Sequence, residues 1–472
     1  MDEQQKTRRE FLKSTGKIGI SAVFLGALPG AFLNCGNSRK RRRPNILLFL
    51  PDQHRFDWLG STPEIPVRTP NLDELSRLGV RFTRAFCASP LCAPSRACLA
   101  SGKEYDRCRV VSNKVDYPID QTTFYTILRD SGYHVAGCGK LDLHKASDTW
   151  GLEGKHLLKE WGFSDGIDNA GKYDAINSGL EEPKDPYMAF LHRRGLARIH
   201  VKDFRDRGPF QGTYPTPLPD DAYCDNWLAK NGLNLMKEFP KNTPWFLQVN
   251  FTGPHAPMDI TSSMTELYEG VDFPQPNRCT GYDEKKHVEI RRNYSAMVEN
   301  IDRWMGIYLD ELDRRGELEN TLIVYSSDHG EMLGDHDCWG KKVPYQPSVG
   351  IPMIISGCGV SLRGVVSGTP VSLIDLCATF LEFGGIKPRP DMDSRSLKPF
   401  LEGRTRTHRD HVYSGLLEWR MVFDGRYKLI SGYGDTGKPI LFDLQNDPLE
   451  NIDIAEEAVT EVARLSQLLG RG

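Results

Sequence analysis

The sequence lacks the motifs that assign a chain to several common protein classes. Its 11 cysteines include no CxxC pair, which argues against a zinc ribbon and against a thioredoxin-like redox site. Acidic and basic residues nearly balance, with a formal net charge of -3, so no general nucleic-acid-binding surface and no nucleic-acid partner are indicated. There is no internal repeat and no low-complexity tract.

The composition that remains is typical of an ordinary globular protein. The chain has 472 residues, of which 39% are hydrophobic and 26% are charged. At about 150 residues per domain, this length accommodates one large domain and a smaller one. We predict an N-terminal segment over 1–43, a large domain over 44–385 and a C-terminal subdomain over 386–472.

The N-terminal segment is typical of a targeting signal. Residues 7–13 (TRREFLK) match a twin-arginine export signal, and the apolar stretch 18–33 follows as its hydrophobic region. The alternative is a chance Arg-Arg pair before a single-pass anchor. Cys35 could carry a lipid, although Asn34 before it is a poor match to the small residue usual there. We therefore predict export by the twin-arginine machinery to the periplasm or outside a bacterial cell.

Apolar runs alternate with helical patterns along the large domain. Strands are predicted over 45–50, 80–88, 245–251, 321–325 and 351–355, and helices over 122–130, 284–315 and 371–383. This alternation predicts an α/β fold with a large, mostly parallel sheet flanked by helices. Residues 386–410 have the composition of a linker. Beyond them, residues 420–423 and 427–430 flank an Asp424-Gly425 turn, which predicts a subdomain built on an antiparallel sheet.

Two polar pairs directly follow predicted strands. Asp52 and Gln53 come after the first strand, and Asp328 and His329 come after the strand over 321–325. Ligands bind beyond the carboxyl ends of parallel strands, so both pairs can converge on one cation. Oxygen ligands with one imidazole favour Ca²⁺, with Mg²⁺ or Mn²⁺ as alternatives. Each pair alone could equally be a helix cap.

The most specific motif is LCAPSRACLASGK, residues 91–103, which contains Cys92 and Arg96. It resembles the signature of the type I sulfatases of the alkaline phosphatase superfamily. In that family a separate formylglycine-generating or other sulfatase-maturing enzyme oxidises the cysteine to formylglycine. The alternative for Cys92 alone is a buried cysteine at the start of a helix.

The modification that the resemblance implies at Cys92 has a physical rationale. A hydrated aldehyde carries two hydroxyls on one carbon, so one can attack sulfur as a nucleophile while the other later expels sulfate. The start of a helix directs backbone N–H groups at the anion. Arg96 lies one turn further along, and its permanent charge can hold sulfate oxygens.

The resemblance implies further site residues along the chain. It implies that the metal ligands are Asp52, Gln53, Cys92, Asp328 and His329. Gln53 differs from the family, which usually has an aspartate at this position. Lys140 and Lys341 correspond to lysines that bind sulfate, and His255 to the histidine at the leaving group. The family has a histidine two residues after the first lysine; here Asp142 stands there and His144 follows, so the residue that replaces the histidine is open.

These features predict hydrolysis of a sulfate ester on a sulfated small molecule or oligosaccharide. A phosphodiester or phosphonate monoester hydrolase of the same superfamily is the alternative that Gln53 favours. A catalytically inactive glycan-binding relative is a third interpretation. A basic stretch over 192–207, containing Arg193, Arg194 and Arg198, could contact a polyanionic substrate or be a solvated helix face.

Overall fold

The computed structural model describes residues 43–470. The predicted export signal and Cys35 lie outside the described residues. Within residues 43–470, no helix combines the length and the apolar character needed to cross a bilayer.

The described chain contains a large sheet, a small one and a C-terminal one. The strands are β1 (Asn45–Phe49), β2 (Val80–Phe82), β3 (Ala85–Phe86), β4 (His134–Gly139), β5 (Asp165–Asp168), β6 (Trp245–Asn250), β7 (Thr321–Ser326), β8 (Met353–Gly357), β9 (Val365–Ser367), β10 (Val371–Ser372), β11 (Val412–Leu416), β12 (Trp419–Phe423), β13 (Tyr427–Ser431) and β14 (Ile440–Asp443). The large sheet has eight strands in the order β5-β4-β6-β1-β7-β8-β2-β9.

The strand directions confirm the predicted mostly parallel α/β sheet. From β5 to β7 all neighbours are parallel, while β8 runs antiparallel to β7 and to β2. The central strands β1, β6 and β7 are buried throughout, which explains their largely apolar sequences. Apolar clusters cover both faces of the sheet, so the carboxyl edge of its parallel strands is where polar groups can gather.

Helices flank the sheet. The α-helices are Pro70–Arg77, Cys92–Ser101, Phe124–Asp130, Gly171–Ser178, Pro186–Arg193, Ala197–Arg207, Cys224–Glu238, Ser262–Thr265, Glu284–Arg314, Gln346–Val349, Asp375–Phe383, Lys398–Leu401 and Val459–Leu469, with 3₁₀ turns at Tyr105–Arg107, Asp220–Ala222, Glu266–Tyr268, Leu318–Asn320 and Asp335–Asp337. The longest helix begins where the Asp283 side chain accepts a hydrogen bond from the Lys286 N–H, a standard N-terminal cap.

An unpredicted group of helices lies between β5 and β6. Four helices, from Gly171–Ser178 to Cys224–Glu238, fill this part of the chain. They surround an apolar cluster of their own that includes Trp150, Tyr187 and Phe204. Strand β5 was also not predicted, because its sequence, DGID, is short and largely polar.

Two predicted elements are each divided in the structure. The expected strand over 80–88 is two short strands, since β2 joins the large sheet and β3 pairs with β10. The expected helix over 371–383 begins only at Asp375, because Val371 and Ser372 form β10. The Asp375 carboxylate accepts a hydrogen bond from the Ser372 N–H at 3.0 Å, which terminates the strand before the helix starts.

The C-terminal antiparallel sheet matches its prediction. Strands β11 to β14 form a meander, with β12 and β13 joined at the expected turn. The helix Val459–Leu469, which was not predicted, packs on this sheet. The segment with linker composition is built into the fold, because Arg409 within it forms a buried ion pair with Asp375. A domain boundary at residue 386 stays a prediction.

Candidate active site

Four neighbouring parallel strands deliver polar loops to one edge of the sheet. In the order β4-β6-β1-β7, their carboxyl ends lead to Lys140, His255, Asp52 and Asp328. The order of these residues along the edge differs from their order in the chain, because β6 lies between β4 and β1. The sheet therefore assembles one site from segments that are far apart in sequence.

Gly139 allows the first of these loops to form. It ends β4 with φ 109°, a conformation that side chains rarely adopt. A Cβ there would lie 2.1 Å from the carbonyl oxygen of Asn250 on the neighbouring strand. Glycine is thus required where the chain leaves the sheet and turns Lys140 into the site.

Asp52, Cys92, Asp328 and His329 converge into one buried cluster. One ligand atom from each lies within 4.8 Å of the others. The His329 Nε2 is 3.3 Å from the Cys92 Sγ and 3.6 Å from a carboxylate oxygen of each aspartate. Two carboxylates, an imidazole and a sulfur at these separations could hold a metal ion.

Cys92 begins a helix, Cys92–Ser101, whose ten residues are all buried. The Asn113 side chain accepts a hydrogen bond from the Ala93 N–H at 3.1 Å. The Ser95 hydroxyl donates to the Asp328 carbonyl at 2.5 Å, which fixes the start of this helix against the loop after β7. Cys92 is therefore held rigidly beside the positive end of a helix.

Arg96 joins both carboxylates of the cluster. Its Nη2 is 2.8 Å from Asp328 Oδ2 and 3.5 Å from Asp52 Oδ2, and its Nη1 donates to the Lys140 carbonyl. The pKa of this guanidinium lies above its ordinary value: burial lowers it, but Asp328 and Asp52 raise it more. Arg96 thus stays a fixed positive charge at the site.

Lys140 is part of a row of alternating charges that begins at Asp52. Its ammonium contacts Asp52 and is 3.3 Å from Asp142 Oδ2. Asp142 in turn is 3.2 Å from the Lys145 Nζ, and Lys145 is 2.6 Å from Asp174. Lys145 was missed at the level of sequence, because no motif or spacing distinguishes it from a surface lysine.

Asp142 and His144 differ in their contacts. Asp142 faces Lys140, whereas the His144 Nε2 is 2.8 Å from Asp168 Oδ2. The ring of His144 also packs against Trp150 and Trp161. A carboxylate, rather than an imidazole, thus accompanies Lys140.

Gln53 and Lys341 meet on the other side of the cluster. The Lys341 ammonium donates to Gln53 Oε1, and the Gln53 amide donates to Glu331. Glu331 also accepts a hydrogen bond from the Gly340 N–H at 2.6 Å. Glu331 therefore orients Gln53 and holds the loop that carries Lys341; its proximity to Asp328 and His329 in sequence was the only signal for it.

His255 lies in the loop after β6. Its Nδ1 is 2.5 Å from the Ala256 carbonyl oxygen, so Nδ1 carries a proton and Nε2 is left for a substrate. Burial, together with the charge of Lys341, lowers the pKa of His255 well below its ordinary value. Before substrate binds, the ring is neutral at neutral pH.

The cations of the site lower the pKa of its acidic groups. Burial raises the pKa of the Asp52 carboxyl, but nearby cations, Lys140 foremost, outweigh burial and hold it well below its ordinary range. Burial and Asp52 raise the pKa of the Cys92 thiol, yet Lys140 and Lys341 bring the net shift below the ordinary value. A buried cysteine surrounded by fixed cations lies where an anion would be attracted.

The site thus gathers a buried cysteine, two carboxylates and several cations at the carboxyl edge of a mostly parallel sheet, an arrangement that can bind an anion. A sulfatase family model matches residues 44–386, and a model of the N-sulphoglucosamine sulphohydrolase C-terminal region matches residues 334–469. The chain belongs to the sulfatase family, and it is a sulfuric ester hydrolase.

Curated relatives span nearly the whole chain. An arylsulfatase of Clostridium perfringens is 26% identical over 463 residues, covering 90% of this chain and 94% of the relative. An N-acetylglucosamine-6-O-sulfatase of Bacteroides thetaiotaomicron is 28% identical over 511 residues, covering 96% and 90%. Both relatives therefore resemble the chain as a whole rather than one segment of it.

Solved structures share the fold. A protein in complex with its substrate D-glucosamine-2-N,6-O-disulfate superimposes with a TM-score of 0.74 at 21% identity, covering 91% of this chain and 97% of that one. A phosphonate monoester hydrolase from Silicibacter pomeroyi gives a TM-score of 0.75 at 24% identity, covering 91% and 94%. The same architecture therefore occurs with two kinds of ester substrate.

Proposed function

We propose that this protein hydrolyses a sulfate ester on a carbohydrate, using a formylglycine made from Cys92 and one divalent cation. The observation that carries the proposal is the placement of Cys92 at a helix start, inside a cluster that also contains Asp52, Asp328 and His329. Relatives named as an arylsulfatase and as an N-acetylglucosamine-6-O-sulfatase support the reaction class.

The donor set fits a hard cation. Asp52 and Asp328 offer carboxylate oxygens and His329 an imidazole nitrogen within one cluster. The Gln53 amide oxygen, which the family resemblance also gives to the metal, accepts a hydrogen bond from Lys341. Calcium tolerates an irregular set of this kind better than magnesium, which needs a nearly octahedral shell. The bound cation and formylglycine would together supply a hydroxyl nucleophile at neutral pH.

The protein's own residues would bind the sulfate group. Arg96, Lys140 and Lys341 are positive groups beside the cluster, and each is fixed by hydrogen bonds or ion pairs. A sulfate ester bears one negative charge and several acceptor oxygens, so these donors can orient its sulfur toward residue 92. Their charge also stabilises the negative charge that grows on sulfate in the transition state.

His255 would assist the leaving group. Its Nε2 is the ring nitrogen left free by the bond from Nδ1 to Ala256. The ring is neutral before substrate binds. The negative charge of the bound ester is therefore needed to raise the pKa of His255, so that Nε2 gains the proton that it donates to the leaving oxygen.

A phosphonate monoester or phosphodiester hydrolase is the second candidate. Gln53 favours it, and the phosphonate monoester hydrolase fold is among the similar structures. Sulfate and phosphate esters differ mainly in charge, so the same cations could serve either. A non-catalytic glycan-binding role would require that the cluster around Cys92 has no catalytic function.

Maturation and export complete the proposal. The motif around Cys92 is the substrate that a sulfatase-maturing enzyme would recognise, and the twin arginines at positions 8 and 9 would direct the chain to the twin-arginine machinery. Export would bring the enzyme to sulfated glycans outside the cytoplasm, in the periplasm or beyond it.

Turnover of sulfated sugars, an aryl sulfate and a phosphodiester by matured, calcium-loaded protein tests the proposal. We expect the highest kcat/KM on a sulfated sugar, together with a peptide mass at residue 92 that corresponds to formylglycine. Faster phosphodiester turnover would favour the second candidate. Full activity with an unmodified Cys92 would refute the mechanism, and no turnover of any ester would favour the glycan-binding role.

A further inference from the structure

The turn after β1 holds Gln53 in an unusual backbone conformation. This residue is buried and has φ 70°, in the left-handed region that residues other than glycine rarely occupy. Such a conformation persists only where neighbouring groups hold it. The Gln53 N–H donates to Asp328 Oδ1 at 3.0 Å, and its carbonyl oxygen accepts a hydrogen bond from the Tyr294 hydroxyl at 2.6 Å. Two distant parts of the chain therefore hold this turn.

Tyr294 connects the turn to the long helix Glu284–Arg314. Its side chain is fully buried, and its ring lies edge-on against Trp58 with the centroids 5.6 Å apart. The hydroxyl also accepts a hydrogen bond from the Arg55 N–H at 2.9 Å, so it bridges residues 53 and 55. Burial raises the pKa of the Tyr294 hydroxyl well above its ordinary value, so the group keeps the proton that it donates to Gln53.

The conformation of Gln53 matters because both its main chain and its side chain face the site. Its N–H orients Asp328, whose other carboxylate oxygen binds Arg96. Its side-chain amide contacts Lys341 and Glu331. If Gln53 relaxed to a negative φ, its N–H and its amide would turn away from these partners together.

We propose that Tyr294 is a positioning residue of this active site, whose hydroxyl holds Gln53 ready to bind the cation. The inference rests on the proposed function and goes beyond it by assigning a role to a residue outside the ligand cluster. Without the hydroxyl, the free energy of restoring the left-handed turn would be taken from cation binding. The cost would therefore appear in the affinity for the cation rather than in the chemical step.

Tyr294→Phe tests the proposal, and Tyr308→Phe is its matched control. Tyr308 lies about four turns further along the same helix, is fully buried, and donates to the Ala229 carbonyl oxygen at 2.8 Å. Both variants lose one buried hydrogen bond to a carbonyl, but Tyr308 lies away from the site. If about one Tyr294→Phe molecule in ten keeps the competent turn, its calcium affinity should fall about ten-fold in calorimetry. The calcium affinity of Tyr308→Phe should match wild type.

The turnover of Tyr294→Phe gives a second readout. Saturating calcium should restore kcat close to the wild-type value, because the bound cation then holds the turn. A fold defect would not respond to calcium in this way. A loss of kcat that excess calcium leaves in place would overturn the proposal.

Amide hydrogen exchange separates this inference from the proposed function, because it needs neither calcium nor an ester. Exchange in the peptide containing Gln53 and Arg55 should be faster in Tyr294→Phe than in wild type and unchanged in Tyr308→Phe. If wild type bound no calcium, the proposed cation site would be wrong, and the exchange rates would still show whether Tyr294 holds the turn. Exchange that matches Tyr308→Phe, or faster exchange with unchanged calcium affinity, would overturn the positioning role.

Discussion

The candidate active site and the C-terminal region both bury charged groups, but they neutralise them differently. In the C-terminal region, the buried Lys428 ammonium contacts one carboxylate, that of Glu450. At the site, a single carboxylate, that of Asp52, lies close to both Lys140 and Arg96.

The paired charges act on the fold. Lys428 also donates to the Pro344 carbonyl at 2.8 Å, and Glu450 accepts from the Gln346 N–H at 2.6 Å. These bonds attach the chain that follows Lys341 to the C-terminal sheet. Every strong donor in this arrangement has its own acceptor, so little is left to bind a ligand.

The shared charges act on a substrate. A carboxylate that several cations contact can release one of them to an incoming anion and still remain neutralised. Burial is common to both regions, so burial alone does not identify a functional site. The difference lies in whether each charge has one partner or several.

The largest expected effect is on the nucleophile position. Cys92→Ala should lower turnover on the order of 10⁴-fold or more, since no side chain there can attack the ester. Thermal unfolding should be nearly unchanged, because alanine fits the start of a buried helix. Cys92→Ser is the matched control that supplies a single hydroxyl in place of the two of an aldehyde hydrate. Retained activity in Cys92→Ala would remove this residue from the mechanism.

A loss on the order of 10³-fold is expected from Asp328→Ala. This change removes a carboxylate of the proposed cation site and leaves Arg96 without its main partner. Elemental analysis should find less than one equivalent of calcium. Asp165→Ala removes a partly exposed carboxylate at the amino-terminal end of β5, away from the site. This variant should retain both its activity and its calcium. Full metal content in Asp328→Ala would contradict the assignment.

Lys428→Met tests the paired region. It leaves Glu450 buried without its partner and should lower the free energy of unfolding by about 3–5 kcal/mol. Turnover per folded molecule should fall far less than in Asp328→Ala. The double variant Lys428→Met/Glu450→Gln should recover part of the stability in chemical denaturation. Similar stability of the single and double variants would mean that the pair is not coupled.

His255→Ala should separate substrates by their leaving groups. Removing a general acid costs about 10²-fold or more where the leaving oxygen needs a proton. Sugar-sulfate turnover should therefore fall far more than turnover of 4-nitrophenyl sulfate, whose leaving group needs little assistance. The same loss on both substrates in steady-state kinetics would indicate a structural role.

The smallest effect concerns acid stability. Burial raises the pKa of Asp375, but Arg409 and His408 outweigh it and hold the pKa below its ordinary value of 3.8. The carboxylate therefore stabilises the fold above that value, and its contribution is lost as the pH falls toward the folded-state pKa. In wild type the slope should reach about 1.4 kcal/mol per pH unit for this one proton.

The double variant Asp375→Asn/Arg409→Met should lack that part of the slope below about pH 4 in urea unfolding. The exposed pair Arg109–Asp120 is the matched control, since both of its side chains are more than half exposed and screened by solvent. An identical slope in the Asp375 variant and wild type would show that this carboxylate is not the acid-sensitive group.

Local patterns accounted for the central strands, the long helix and the C-terminal hairpin, because each has a clear apolar period or a strong turn. They failed at β5 and at the helices from Gly171 to Glu238, where the apolar surface is covered by neighbouring helices rather than by the sheet. Local patterns also predicted β2 and β3 as a single strand, because nothing in an apolar run shows that its two halves pair with different sheets.

The sequence by itself determined the family, the position of Cys92 and the residue types that follow the central strands. These are properties of contiguous motifs and of strand ends. Only the tertiary structure decided that Asp142 rather than His144 faces Lys140, and that Lys145, Tyr294 and Glu331 border the site. The physical reason is that the strand order brings distant loops together, and the partner of a buried charge depends on distances in space that spacing along the chain does not encode.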